Sequence, residues 1–176
     1  SRLRGGGTDH CHDPPAGTVL SFADDQLSWV AVDDRVMGGR SQSHMRLHDG
    51  VASFEGQLVI GGGGFASVRA VLSQLLGWDG ARGLQLTCTA DARKSGYKMV
   101  LKTDTLRDGV SYQMPIPVSS EEQVTIRLPF NAFAPSFRGR PVPGAPPLQG
   151  KEVTQIGFML SRFDSSSGVT TADVPE

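Results

Sequence analysis

The chain has 176 residues, room for one domain of ordinary size. Its 22 glycines and 11 prolines exceed the usual combined share of about 12%, which argues against a helical bundle, whose interiors tolerate neither residue. Lys+Arg 17 against Asp+Glu 18 leaves a net charge of -1, so a strongly basic nucleic-acid binder is not indicated, and no apolar run approaches the roughly 18 residues of a membrane-spanning helix.

Residues 1–17 contain Gly5-Gly6-Gly7, Pro14-Pro15 and few apolar side chains, and read as a flexible tail preceding a domain over residues 18–176. The opening Ser1-Arg2-Leu3-Arg4 lacks an initiator Met and suggests a processed N-terminus, as after removal of an organellar presequence. From Thr18 the apolar residues come in short bursts: Val19 to Phe22, Trp29 to Val32, Met45 to Leu47, Val51 to Ile60 and Leu84 to Cys88. Further bursts run from Tyr97 to Leu101, Val110 to Met114, Val124 to Leu128 and Ile156 to Leu160. Most alternate apolar and polar residues, the pattern of strands with one buried face. Asp49-Gly50, Asp79-Gly80 and Asp108-Gly109 fall between bursts, where tight turns need positive φ. Six of the eleven prolines lie from Pro129 to Pro147, which predicts a long irregular loop. The expectation is an all-β, antiparallel sandwich. Val68, Val71, Leu72, Leu75 and Leu76 alone follow helical spacing.

Several patterns suggest chemistry. Gly61, Gly63 and Ala66, with Asp91 downstream, fit the loose dinucleotide fingerprint, but four consecutive glycines satisfy almost any glycine pattern and no further βα units follow. A turn or bulge is the simpler reading. His10-Cys11-His12-Asp13 and the pair His44 and His48 lack the spacings of a zinc site, and two cysteines, Cys11 and Cys88, make no disulfide framework. No nucleophile stands beside an evident base. Neither metal nor cofactor is expected. The acids Asp33 and Asp34 could serve glycoside hydrolysis only if a second acid lies across a cleft. In a turn such residues more often bond nearby backbone N–H groups.

The densest polar segment runs from Trp29 to Ser41 and contains Asp33, Asp34, Arg35, Met37, Gly38, Gly39, Arg40 and Ser41. It reads either as a buried turn whose ion pairs close the edge of the sandwich, or as a docking loop in which the arginines offer bidentate donors. That segment, Phe54-Glu55-Gly56, Gly63 to Arg69, Trp78-Asp79-Gly80 and Gly96-Tyr97-Lys98 resemble the complex I intermediate-associated protein 30 family. So do Val124 to Phe130, Phe133 to Arg140, Pro143 to Pro147 and Ile156 to Leu160, and the resemblance covers roughly residues 19–163. It implies a galactose-binding-like jelly roll, and makes the run from Gly63 to Arg69 a strand entry despite the helical spacing. The sequence departs from the family in an insertion-like segment, Asp91 to Gly96, and after Phe163, where a closing strand is expected and Ser and Thr dominate.

The resemblance implies a non-catalytic module that binds subunits of a membrane-embedded redox complex, as an assembly factor or accessory subunit, in a mitochondrion or plastid. Partner binding is expected at Asp33, Asp34, Arg35, Met37, Gly38, Gly39, Arg40 and Ser41 together with Phe137, Arg138 and Arg140. Gly38, Gly39, Gly63 and Gly64 are expected to be backbone requirements, each pair including a conformation costly for residues with a Cβ, so that Gly39→Val costs stability if φ is positive there. A second class is carbohydrate binding, with Trp29 or Trp78 stacking on a sugar beside Asp33 and Arg35. RNA contact through the arginines is a weaker alternative at this net charge. DNA is not an expected partner.

Overall fold

The computed structural model describes residues 27–61, 63–72, 78–90, 96–104, 106, 109–118 and 121–162. The expected tail, the cluster from His10 to Asp13, Leu75 and Leu76, Asp91 and the segment after Phe163 lie outside the described residues.

The described residues form eleven strands: β1 (Trp29–Ala31), β2 (Gln42–His48), β3 (Val51–Gln57), β4 (Phe65–Val71), β5 (Gly83–Cys88) and β6 (Tyr97–Thr103). They continue as β7 (Val110–Pro115), β8 (Val124–Pro129), β9 (Ala134–Phe137), β10 (Arg140–Pro141) and β11 (Val153–Ser161). Every pairing is antiparallel. One sheet has seven strands in the order β1-β4-β11-β6-β7-β9-β10; two further pairs are β2-β3 and β5-β8. The core lies between these layers. Val68 and Ala70 of β4, Met99 and Leu101 of β6, Tyr112 of β7, and Ile156 and Phe158 of β11 face Ala52, Leu86, Cys88 and Leu128 from the pairs. This is the antiparallel sandwich that the alternation predicted, of the jelly-roll kind that the resemblance implied.

Two expectations are corrected by the backbone. Val68 lies in β4, as the resemblance implied through Arg69, and Val71 extends that strand where the helical spacing had left room for a turn: pairing with β1 over Val68–Ala70 and with β11 over Phe65–Val71 overrides the local spacing. The proline-rich stretch is not structureless. It contains a 3-10 turn (Phe130–Ala132), β9 and β10. Pro129 ends β8, Pro135 is the second residue of β9 and Pro141 lies on the edge strand β10, positions at strand ends or edges where a missing N–H is tolerated. Hairpin chemistry follows the turn residues. Asp49 (φ 50) and Gly50 (φ 72) join β2 to β3, and Arg138 (φ 50) and Gly139 (φ 78) join β9 to β10, both with the two positive φ values of a type I′ turn.

The pairing order defines two ends of the sandwich. At one, the segment after β1 meets the entry to β4, the end of β11 and the start of β6. At the other, the turn from Trp78 meets the end of β8 and the approach to β11.

Candidate functional site

Between β1 and β2 the chain makes a 3-10 turn, Asp34–Met37, preceded by Asp33 in extended backbone (φ -90, ψ 174). Successive residues in extended backbone point to opposite sides, so the two neighbouring carboxylates serve different segments. Asp34 is fully buried. Its Oδ1 accepts the Ser41 backbone N–H at 3.0 Å, and its Oδ2 accepts the Ser41 hydroxyl at 2.9 Å and the Gly64 N–H at 2.8 Å. Ser41 Oγ in turn accepts the Val59 N–H at 3.0 Å. Asp33, also buried, accepts the Ser43 N–H at 3.0 Å on Oδ2, and the Ser67 N–H at 3.0 Å together with the Ser43 hydroxyl on Oδ1. The Ser67 hydroxyl donates back to the Val32 carbonyl at 2.6 Å.

A buried carboxylate is tolerated when its lone pairs are filled, and N–H and O–H donors fill these. Burial works to raise the Asp34 carboxyl. The Ser41 hydroxyl, then the N–H groups of Gly64, Ser41 and Phe65, together outweigh it and hold the group below its ordinary range. The pair therefore forms a polar clasp that fastens the loop after β1 to β2 and to the start of β4. Of the two sequence readings, the buried turn has the right burial and the wrong partners: the carboxylates hold serines and backbone N–H groups, not arginines.

The glycines follow from this clasp. Gly38 has φ 83 and caps the 3-10 turn, its N–H bonding the Arg35 carbonyl at 3.0 Å. Of the pair, the positive φ falls at Gly38 and not at Gly39. Gly39 is excluded from change by space, because a Cβ there would lie 2.1 Å from Asp34 Cγ. At Gly63 a Cβ would lie 2.0 Å from Asp34 Oδ2, while at Gly61 it would meet nothing within 4 Å. Gly63 and Gly64 let backbone approach a carboxylate. The glycine run leads into an antiparallel strand, without the βα context of a dinucleotide site.

What remains for an outside partner is the outward side of the same loop. Arg35, Met37 and Arg40 are exposed, Met37 to 55%; Ile60, on the adjoining segment held by the Ser41–Val59 bond, is 58% exposed. The second expected segment lies elsewhere. Phe137, Arg138 and Arg140 belong to the β9-β10 hairpin, with the Arg138 guanidinium 5.2 Å from the Phe137 ring centre. In the seven-stranded sheet β1 and β10 are the two opposite edges, so the two loops do not share one strand-to-strand surface. The aromatic candidates for sugar stacking are turned inward: Trp29 stacks on Phe158 with ring centres 6.0 Å apart, and Trp78, 6% exposed, packs on Phe130. Asp33 is spent inside. His44 faces Glu55 at 3.3 Å and His48 faces Asp49 at 3.0 Å, each in a separate exposed pair. Among the described residues no group of three metal-ligating side chains forms.

Sequence reasoning did not anticipate Ser43 and Ser67. Their signal is faint: each is a single serine close to the start of a strand, Ser43 in β2 and Ser67 in β4. Nor did it mark the groove at the other end, where Trp78, Phe130 and Leu148 carry the turns.

Comparison with known proteins agrees with this architecture. A family 11 carbohydrate-binding module from Clostridium thermocellum, solved with a β-1,3-1,4-mixed-linked tetrasaccharide, superposes with a TM-score of 0.51. It is 14% identical, over 82% of this chain and 85% of that one. A second structure of such a module, from the cellulase Lic26A-Cel5E, gives 0.47 at 15% identity, over 81% of this chain and 79% of that one. The first likeness concerns the fold alone. The uncharacterized protein C9E9.15 of Schizosaccharomyces pombe is 35% identical over 158 residues, spanning 78% of this chain and 71% of that protein. The model of the complex I intermediate-associated protein 30 family matches residues 20–170, and the chain belongs to that family.

Proposed function

We propose that this protein is a non-catalytic docking module that serves a membrane redox complex inside an organelle, as assembly factor or accessory subunit, and that its partner seats on Arg35, Met37, Arg40 and Ile60. The family name supplies the association with complex I. One observation carries the surface: both carboxylates of the 33–41 loop are consumed by internal donors, while its arginines and Met37 point outward from a backbone those bonds hold fixed. Acids with filled lone pairs and no open cleft are poor proton shuttles, which is why an enzymatic role for Asp33 and Asp34 is not favoured. A rigid loop presenting an apolar anchor between guanidinium groups suits a protein partner with a carboxylate rim around an apolar centre.

The test is affinity purification from the source organelle membrane with mass spectrometry of co-eluting subunits. Wild-type protein should retain subunits of a redox complex; Arg35→Ala with Arg40→Ala should release them at an unchanged melting temperature. The corresponding pair Arg138→Ala with Arg140→Ala should leave them bound. Loss through the hairpin pair instead, or full retention in the loop pair, overturns the reading.

A further inference from the structure

At the end of the sandwich away from the clasp, three turns surround an open groove of about 510 Å³. Each turn is built alike, with one side chain sunk in the core and polar neighbours left outside. Trp78 anchors Asp79 and Arg82, Phe130 anchors Asn131, and Leu148 anchors Gln149 and Lys151. Two of the turns are fastened to each other, the Phe130 N–H bonding the Arg82 carbonyl at 2.9 Å. The Ala81 N–H closes the first turn on the Trp78 carbonyl at 3.1 Å, and the Tyr112 hydroxyl of β7 holds the Pro146 carbonyl, just before Leu148, at 2.7 Å. Gly150 lies so close that a Cβ there would come within 2.6 Å of Phe130 Cε2 and 2.8 Å of the Trp78 carbonyl. The walls are therefore set by core packing and need no ligand to form, as in most binding clefts.

We propose that this groove binds an extended, carboxylate-bearing peptide segment of a partner protein. Charge complementarity carries the choice. Among the described residues Arg82 and Lys151, which come from separate turns, form no ion pair, and the Asn131 and Gln149 amides can donate as well as accept, against a single carboxylate in the lining, Asp79. A rim so weighted toward donors favours an acceptor-rich anion, and guanidinium matches a carboxylate with two parallel bonds. The groove is open, so a small anion would stay largely in water, whereas an extended chain can cross it and engage both cations. This site is independent of the Arg35–Arg40 surface, from which it is separated by the length of the sandwich.

The experiment is a titration of the ¹⁵N-labelled full chain with capped hexaglutamate, capped hexaglutamine and inorganic phosphate, read by amide chemical shifts. Hexaglutamate should move the amides of Asp79, Arg82, Asn131, Gln149 and Lys151, and hexaglutamine should not. Arg82→Gln with Lys151→Gln should weaken hexaglutamate at least tenfold without altering the melting temperature, both side chains being exposed. The proposal is overturned if phosphate moves the same amides with equal affinity, if the shifts map to Arg35 and Arg40, or if the double variant binds as well as wild type.

Discussion

At the scale of the residue, Asp34 shows how an acidic side chain becomes part of a scaffold. Its carboxylate replaces water with three donors, two of them main-chain N–H groups distant in sequence. Asp34→Asn keeps the shape but turns one acceptor oxygen into a donor facing other donors. The variant should lose about 2–4 kcal/mol of stability, judged by the worth of hydrogen bonds to a charged group and the cost of stranding buried ones. Chemical denaturation at neutral pH measures it. The pH dependence has a fixed sign. Because the folded carboxyl titrates below its unfolded value, its contribution is present above the ordinary aspartate range and is lost as pH falls through the depressed value. Wild-type stability should therefore decline on acidification more steeply than that of Asp34→Asn; equal slopes would mean that the carboxylate is not the group being discharged.

At the scale of the element, the β9-β10 hairpin holds an unusual residue. Arg138 occupies a left-handed conformation (φ 50), where a side chain beyond Gly, Asn or Asp costs about 1–2 kcal/mol. Arg138→Asn should accordingly raise the melting temperature slightly, by a gain of about 0.5–1 kcal/mol, and a fall would mean that the contact with the Phe137 ring outweighs backbone strain. Elements of this kind mark how far the sequence could be read. Alternation located most strands, because one face meets the core and the other is more open along Gln42–His48 or Gly83–Cys88. Val71 misled locally, since it fits the helical spacing that starts at Val68 while its backbone continues the pairing of β4 with β11. Pro135 and Pro141 concealed β9 and β10, because proline signals a break, although it is accommodated near the start of β9 and on the edge strand β10. The carboxylate clasp was legible as an Asp pair near turn glycines. Its partners were not, since nothing local links Asp33 to a serine 34 residues away.

At the scale of the whole molecule, the clasp and the groove occupy opposite ends and are joined by the core sheet. Gly63→Ala drives a methyl into Asp34, and Gly150→Ala drives one into Phe130 and the Trp78 carbonyl. Each should cost about 1–3 kcal/mol by overpacking. With no shared neighbour, the double variant should show the sum to within about 0.5 kcal/mol in equilibrium unfolding. A larger deviation would mean that strain passes through the sheet between the two ends.

The position of β11 has a consequence in time. The last described strand to be synthesised lies between β4 and β6 in the finished sheet. The roughly sixty residues from the end of β6 to the end of β11 take about 3–12 s to emerge at about 5–20 residues per second. Through that interval the facing edges of β4 and β6 lack the strand that finally joins them. A growing chain thus carries two unsatisfied edges of one sheet, each a template for wrong pairing with another chain. Closure comes in one late step, when a single strand seats against both at once, and a ribosome that stops short of Ser161 releases a chain whose main sheet cannot be completed.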